Sequence, residues 1–346
     1  MRRTPGPSIE AVALSAGVSV ATVSRAFHES SKLASETRRR VLEVAQGLGY
    51  YPRVVPNKRN KVAVVLGART HLGRDPYLAQ VVGALLEGLH ERRLRTIVQL
   101  ASSSADLTAA VEEGFFDALV VLGGPQNAAA WNLPYPGGRG VRELAARLPV
   151  VVVNHDLGAP THTVASDHAQ GGRLAAEYLL ARGHRKVAYV APGVRSAVLD
   201  ARRDGALEAL RKAGVTQPEA LCFDAEDLPL VEALSRVKHR GATAMILGRQ
   251  QLTLPALRAL HLLNLRVPDD LSVVGFEGPG ISAYTNPPLT TVRQPIEELG
   301  ARAAALTAEL LAREGRPRRR ASETLTNELL ERESVRALEP GGRHKT

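Results

Sequence analysis

Ser8-Ile9-Glu10-Ala11-Val12-Ala13-Leu14-Ser15-Ala16-Gly17-Val18-Ser19-Val20-Ala21-Thr22-Val23-Ser24-Arg25-Ala26-Phe27 alternates capping residues with short apolar faces. Ser8 is placed to cap a first helix, because its hydroxyl can accept from the open amides of the first turn. Ile9, Val12, Ala13 and Ala16 fall at i, i+3, i+4 and i+7, which gives that helix one apolar side. Gly17 stops it, since glycine enters the left-handed region without a steric penalty. Ser19 is a second cap, and Val23, Ala26 and Phe27 share a side of the helix that follows. Two short helices joined by a three-residue turn around glycine form a helix-turn-helix. In that layout the second helix projects its N-terminal residues outward, where they can enter a major groove.

The surrounding charge fits a polyanionic partner. The chain has 346 residues and a net charge of +10. Residues 1–61 contain eleven Lys and Arg against four Glu, so they hold +7 of that charge. A basic small domain joined to a near-neutral large one points to nucleic acid at one end. A third helix is predicted over about 35–48, with Val41, Val44, Ala45 and Leu48 closing a three-helix core. Arg38, Arg39 and Arg40 near its start are then available to phosphates.

The run from Ala11 to Arg25 closely resembles the DNA-binding headpiece of the lactose/galactose repressor (LacI/GalR-type) family. So do Glu36-Thr37-Arg38-Arg39-Arg40-Val41 and Leu48-Gly49-Tyr50-Tyr51-Pro52. The resemblance implies that Val20, Ala21 and Arg25 read base edges, while Ser19, Thr22 and Ser24 support the helix or touch phosphates. Their chemistry is unequal. Arg25 can make a bidentate contact to guanine O6 and N7, whereas Val20 and Ala21 can only touch or exclude a thymine methyl.

After Tyr-x-Pro the family continues into a hinge helix of the type Asn-x-x-Ala-x-x-Leu. Here the sequence reads Pro52-Arg53-Val54-Val55-Pro56-Asn57-Lys58-Arg59-Asn60-Lys61. It is about five residues short on that comparison, lacks the leucine, and has Pro56 where a helix needs a free amide. An extended basic linker is expected over 52–61. Lys58 and Arg59, with Lys61, either track phosphates or sit in a solvated tether.

From residue 62 the pattern changes to short apolar runs alternating with amphipathic stretches. Strands are predicted at 62–66, 96–100, 118–122, 150–154, 187–191, 244–247 and 271–275. Helices are predicted at 77–92, 106–113, 141–148, 170–181, 201–213, 230–237, 254–263 and 296–314. Such alternation builds parallel sheets covered by helices, and at this length two lobes with a cleft between them fit better than one sheet. The resemblance extends through Asp75-Pro76-Tyr77, Val151–Asp156, Gly171–Ala175, Leu180–Ala188, Val267–Phe276 and Pro288–Pro295. The fold it implies is a small all-α helix-turn-helix headpiece (1–51) followed by a two-lobed α/β periplasmic-binding-protein-like core (62–335). Lobe 1 is expected at about 62–157 and 290–318, lobe 2 at about 158–289 and 319–335, with a disordered tail at 336–346.

By the same resemblance, Asp75, Tyr77, Asn154, Asp167, Asp200, Arg202, Arg249 and Glu277 are the candidate effector contacts. Several depart from the family. Asp200 stands where an arginine is frequent, with Arg202 and Arg203 next along. Arg249-Gln250 replaces Asn-Asp, and Glu277 replaces Asp. Moving charge in the cleft makes a plain neutral hexose less suitable and favours a charged or sugar-derived effector, or none. The loop from Gly123 to Gly140, with Trp131 and Tyr135, is long for this fold. Trp131 either stacks on a ligand or packs its own loop.

Composition and motifs exclude several other classes. No apolar run approaches the ~20 residues needed to span a bilayer. The basic start is not followed by an apolar segment, so no export signal is read, and the expected location is the cytoplasm. Cys222 is the only cysteine, which excludes an internal disulfide and suits a buried, inert thiol. There is no Walker loop, Gly-x-Gly-x-x-Gly, His-Glu-x-x-His or Gly-x-Ser-x-Gly. His155, Asp156, His162 and His168 have no standard metal-site spacing. No catalytic residue, metal or cofactor is expected. The reading is a homodimeric transcriptional regulator, a repressor, on a pseudo-palindromic double-stranded DNA operator and under small-molecule control. The alternatives are constitutive DNA binding without an effector, or a solute-binding protein.

Overall fold

The computed structural model describes residues 8–27, 33–48, 50, 60–67, 75–101, 115–122, 144–158, 160–192, 197–224, 229–277, 280–312 and 320–338. The chain divides into two compact units, Met1–Arg59 and Asn60–Thr346.

In the first unit, α1 (Ile9–Ala16), α2 (Val20–Ala26) and α3 (Ser35–Gly47) form a three-helix domain. The Ser8 hydroxyl accepts from Ala11 N at 3.3 Å, and Gly17 ends α1 at φ 65°. Val18 N then donates to Ala13 O at 3.0 Å, which satisfies a carbonyl left open at the helix end. The chain turns by 97° between α1 and α2. Val12, Ala13, Ala16, Val23, Ala26, Val41 and Ala45 fill the core, and Phe27 meets Tyr50 edge-on at 6.2 Å. Leu48 differs from expectation: it lies beyond the last turn of α3 and is exposed.

The second unit has two six-stranded sheets. The first sheet orders β11-β5-β4-β3-β1-β2, all parallel. Its strands are β1 (Lys61–Gly67), β2 (Arg95–Ala101), β3 (Ala118–Leu122), β4 (Val150–Val153), β5 (His162–Ser166) and β11 (Ser322–Leu325). Helices α4 (Pro76–Glu91) and α9 (Ile296–Ala312) pack on it through Val81, Leu85, Leu89, Leu299, Ala303 and Leu310. The second sheet orders β12-β10-β9-β8-β6-β7. It contains β6 (Val187–Ala191), β7 (Cys222–Asp224), β8 (Ala244–Leu247), β9 (Ser272–Glu277) and β10 (Thr290–Arg293), with β12 (Glu328–Leu330) antiparallel to β10. Around it lie α5 (His168–Ala181), α6 (Ala197–Lys212), α7 (Leu230–His239) and α8 (Thr253–Leu262). Uniformly apolar strands such as Val150–Val153 and Ala244–Leu247 are buried on both faces, as helix-covered parallel sheets require.

The lobe boundaries shift from those expected. β5 and β11 belong to the first sheet and β10 to the second, so the chain crosses between lobes at residue 167, at 294–295 and at 326–327. β5 and β11 carry His, Thr, Ser and Glu, so they lack the apolar runs that marked the other strands. The tail also differs. Leu338 N donates to Arg182 O at 2.8 Å and the Arg336 carbonyl meets His184 Nε2 at 2.9 Å, so the ordered chain continues past 335. Residues 339–346, the linker at 51–59, the helix expected at 106–113 and the loop holding Trp131 and Tyr135 lie outside the described residues. Cys222 is partly buried and unpaired, and burial raises its thiol to about 11.

Candidate nucleic-acid interface and cleft

The interface is built on α2. Ser19 Oγ accepts from Thr22 N at 3.1 Å and shares a hydrogen bond with Thr22 Oγ1 at 2.9 Å, so both residues fix the helix start. Val23 and Ala26 point into the core. Val20, Ala21, Ser24 and Arg25 are exposed on the side away from it. Spacings of one, four and five residues place these four on one helical face, a compact patch led by one guanidinium. Arg38 is anchored at one point, since its Nε donates to Ala26 O at 3.0 Å and closes the end of α2. Arg39 and Arg40 stay exposed, with Glu43 4.0 Å from Arg39. The side chains of Lys58 and Arg59 lie outside the described residues.

In the second unit, candidate residues collect where strands of both sheets end. The order β2-β1-β3 in one sheet and β7-β6-β8 in the other places a topological switch point in each, where α/β folds bind ligands beyond the carboxyl ends of strands. Asp75 caps α4 by accepting from Leu78 N at 3.2 Å, and its other oxygen lies 3.9 Å from Arg249 of lobe 2. Asn154 follows β4 in the left-handed region at φ 61°, which asparagine tolerates. Its Oδ1 accepts from Ser166 N at 3.0 Å, and its Nδ2 donates to the Tyr77 hydroxyl. Burial raises the Tyr77 phenol to about 12, against the opposing pull of Arg202 and the Asn154 hydrogen bond.

Arg202 and Asp200 differ sharply. Arg202 is 5% exposed, donates to Gly248 O at 2.9 Å and holds its guanidinium 4.2 Å above the Phe276 ring. Burial lowers its pKa, with Tyr189 and Tyr77 acting the other way. Asp200 instead pairs with Arg203 at 3.0 Å on a more open side of α6. The cation that seemed displaced by Asp200 is therefore present two residues later, and the argument against an uncharged hexose at that position falls away. Asp167 caps α5 through Gln170 N at 2.8 Å and lies 3.8 Å from Arg173. Glu277 ends β9, and its side chain lies outside the described residues.

His168 and Asn327, which the sequence did not single out, also lie buried at the crossings between the lobes. His168 is the first residue of α5 and is 9% exposed; burial, then Arg202 and His155, hold its pKa well below 6.5. Its place just after a capping aspartate at a strand-to-helix junction was the available signal. Asn327 lies on the third crossing and knots it to the first. It donates to Asp167 O at 2.6 Å and Gln170 Oε1 at 3.0 Å, and accepts from Ser166 Oγ at 2.6 Å. Among the described residues no group of three or more His, Cys, Asp or Glu could hold a metal ion. No single described helix is long and apolar enough to cross a membrane.

Comparison with known proteins agrees with both units. Residues 8–53 match the model for bacterial regulatory proteins of the lacI family, and residues 176–335 match that for a periplasmic binding protein-like domain. The chain is 28% identical to the HTH-type transcriptional regulator DegA of Bacillus subtilis over 306 residues, covering 84% of this chain and 87% of that one. It is also 28% identical to the HTH-type transcriptional repressor CytR of Escherichia coli over 339 residues, covering 94% and 96%. A solved transcriptional regulator CelR–cellobiose complex superposes with a TM-score of 0.68 at 29% identity, covering 95% of this chain and 99% of that one. The headpiece, the two-sheet core and these relatives agree: residues 8–53 match the lacI family of bacterial regulatory proteins, residues 176–335 match a periplasmic binding protein-like domain, and the relatives that align along most of the chain are HTH-type transcriptional regulators.

Proposed function

We propose that this protein is a cytoplasmic, homodimeric repressor whose grip on a pseudo-palindromic operator is set by a small molecule held between its lobes. The exposed α2 face of Val20, Ala21, Ser24 and Arg25 carries the reading, because a capped, rigid helix with one bidentate-capable guanidinium is suited to a major groove. Lys58 and Arg59 would add sequence-independent phosphate attraction.

Exposed apolar side chains on both lobes of the second unit support pairing with another copy. Ile97, Val98 and Leu100 lie on edge strand β2, and Leu254, Leu262, Ile281 and Tyr284 lie on lobe 2, with Tyr284 90% exposed. Exposed apolar groups on this scale suit an interface. A twofold dimer requires two matching half-sites in its operator.

Asp75, Tyr77, Asn154, Arg202, Arg249 and Glu277 form the effector contacts in this reading, with Asp167 and Asp200 as supports that hold neighbouring cations. The CelR relative in complex with cellobiose supports a small-molecule occupant. The test is an operator titration with and without a metabolite panel. Effector control predicts an affinity change of ~5–150-fold, the usual size of allosteric coupling. No change with any metabolite would leave a constitutive DNA-binding regulator.

A further inference from the structure

Several of the described helices close on a residue in the left-handed region. Helices α1, α5, α6 and α7 use Gly17, Gly183, Gly214 and Gly241, and α8 uses Asn264. Glycine and asparagine adopt that backbone at least cost. Helix α4 instead uses a long charged residue, Arg93 at φ 56°. The closure around it is otherwise regular: Arg93 N donates to His90 O at 2.8 Å, Leu94 N donates to Leu89 O at 3.1 Å, and Leu94 packs against the core of lobe 1. The cation that suits the end of α4 is already supplied by Arg92, which donates to Gly88 O at 2.8 Å. A strained backbone kept at an exposed arginine points to a use for its side chain.

Arg93 stands where the chain enters the second unit. Two residues on, Arg95 opens β2, pairs in register with Lys61, and donates its backbone N–H to Asn60 O at 2.7 Å. Asn60 is itself held, because Asp117 Oδ2 accepts from Asn60 N and from Lys61 N, both at 3.0 Å. Glu91 lies 3.7 Å from Arg92, so this acid and Asp117 are both already engaged. The side chains of Arg93 and Arg95 are exposed, and neither has a hydrogen-bond or ion-pair partner among the described residues. Residues 51–59, which include Arg53, Lys58 and Arg59, join this edge to the headpiece. The positive charge of the linker therefore continues onto a fixed part of the core.

We propose that Arg93 and Arg95 form a second nucleic-acid contact, a pair on the core that takes phosphodiester oxygens of the duplex read by the headpiece. The inference rests on the DNA-binding reading given above. Guanidinium–phosphate hydrogen bonds are charge-assisted and among the strong ones. Both side chains lie open on the surface, which suits an extended polyanion better than a small ligand that has to be enclosed. Contacts of this kind add affinity and fix register without reading sequence. The clamp of Asp117 on Asn60 and Lys61 holds the pair at a set distance from the root of the linker, so the contact is preorganised.

The experiment titrates the full-length protein by fluorescence anisotropy against two duplexes of equal length, an operator selected from random DNA and its scrambled sequence. Salt is varied from about 50 to 200 mM, where each phosphate contact adds ~0.9 to the slope of log affinity on log salt. In the proposed dimer each arginine is present twice. Arg93→Gln and Arg95→Gln are each expected to flatten the slope by ~1–2 on both duplexes and to leave the preference for the operator intact. Arg93→Gly separates this from a role in the fold: it relieves the left-handed strain, so the thermal midpoint should rise by about 2 °C while the slope flattens. Lysine at both positions keeps the charge and should keep the slope. Unchanged slopes in both Gln variants would overturn the pair while leaving the operator reading intact. So would a lower midpoint for Arg93→Gly, or a flattening that sedimentation traces to a dissociated dimer. If no operator is recovered, the operator reading fails, and the slope on the scrambled duplex still decides for or against the pair.

Discussion

Asp75 and Arg249 face each other across the cleft at 3.9 Å, one at the start of α4 in lobe 1 and the other just after β8 in lobe 2. Their side chains are 28% and 29% exposed, so this is a loose, partly screened pair. Such a contact suits a movable gate. A pair this long and this open to water can part at little cost.

Breaking this pair should change response more than stability. Asp75→Asn combined with Arg249→Gln in a double-mutant cycle is expected to show a coupling energy below about 1 kcal/mol in urea unfolding. The effector concentration for half-maximal operator response should shift in the same variants. A coupling of several kcal/mol would show that the pair is a structural lock.

Arg25→Ala should cost ~1–3 kcal/mol at the selected operator and leave affinity for unrelated duplex nearly unchanged at fixed salt. Anisotropy titrations on both duplexes measure this. A uniform loss on both would make Arg25 a phosphate contact.

Ser19→Ala removes the acceptor for Thr22 N and the partner of Thr22 Oγ1. The expected cost is ~1 kcal/mol of headpiece stability. Weaker operator binding should follow, because the face proposed to read bases begins on the next residue. Headpiece melting followed by circular dichroism, alongside operator titration, provides the check.

Acid should destabilise the second unit through its buried histidines. His168 is held well below 6.5 and His184 is lowered, chiefly by burial in both cases. A depressed folded value means that the unfolded chain, titrating near ~6.5, binds more protons, so stability is full above that pH and declines as pH falls through it. Urea midpoints between pH 7.5 and 5 should therefore fall, and the slope should flatten in His168→Gln. An unchanged slope would place the acid sensitivity elsewhere.

Asn327→Ala should be the costliest of these changes. Its amide serves Ser166, Asp167 and Gln170 together at the crossing between lobes, and the residue is 8% exposed. Leaving buried polar groups unmatched costs ~1–3 kcal/mol for each, so urea unfolding should register a loss of at least that size.

The headpiece was the most legible part of the sequence, because Ser8, Gly17 and Ser19 act through local backbone chemistry. Helix ends of this kind depend on residues three or four positions apart, and the structure places all three caps as read. Strands buried on both faces, such as Val62–Leu66 and Ala118–Leu122, were legible for a related reason: an unbroken apolar run fits a covered sheet. His162–Ser166 and Ser322–Leu325 were not, since their place in the first sheet comes from pairing between distant stretches of the chain, Ser322 with Thr163 and Leu325 with Ser166. Missing them displaced the lobe boundaries. The cleft was legible by position but not by orientation. Asp200 and Arg202 are two residues apart on one helix, and only packing against Gly172 and Phe276 shows which of them turns inward.

The central claim is that the exposed face of α2 reads a specific duplex. The most direct measurement is a binding selection from random double-stranded DNA with the full-length protein at moderate ionic strength. The account predicts enrichment of two inverted half-sites, each with a guanine that Arg25→Ala no longer selects. Recovery of duplexes with no common sequence would contradict it.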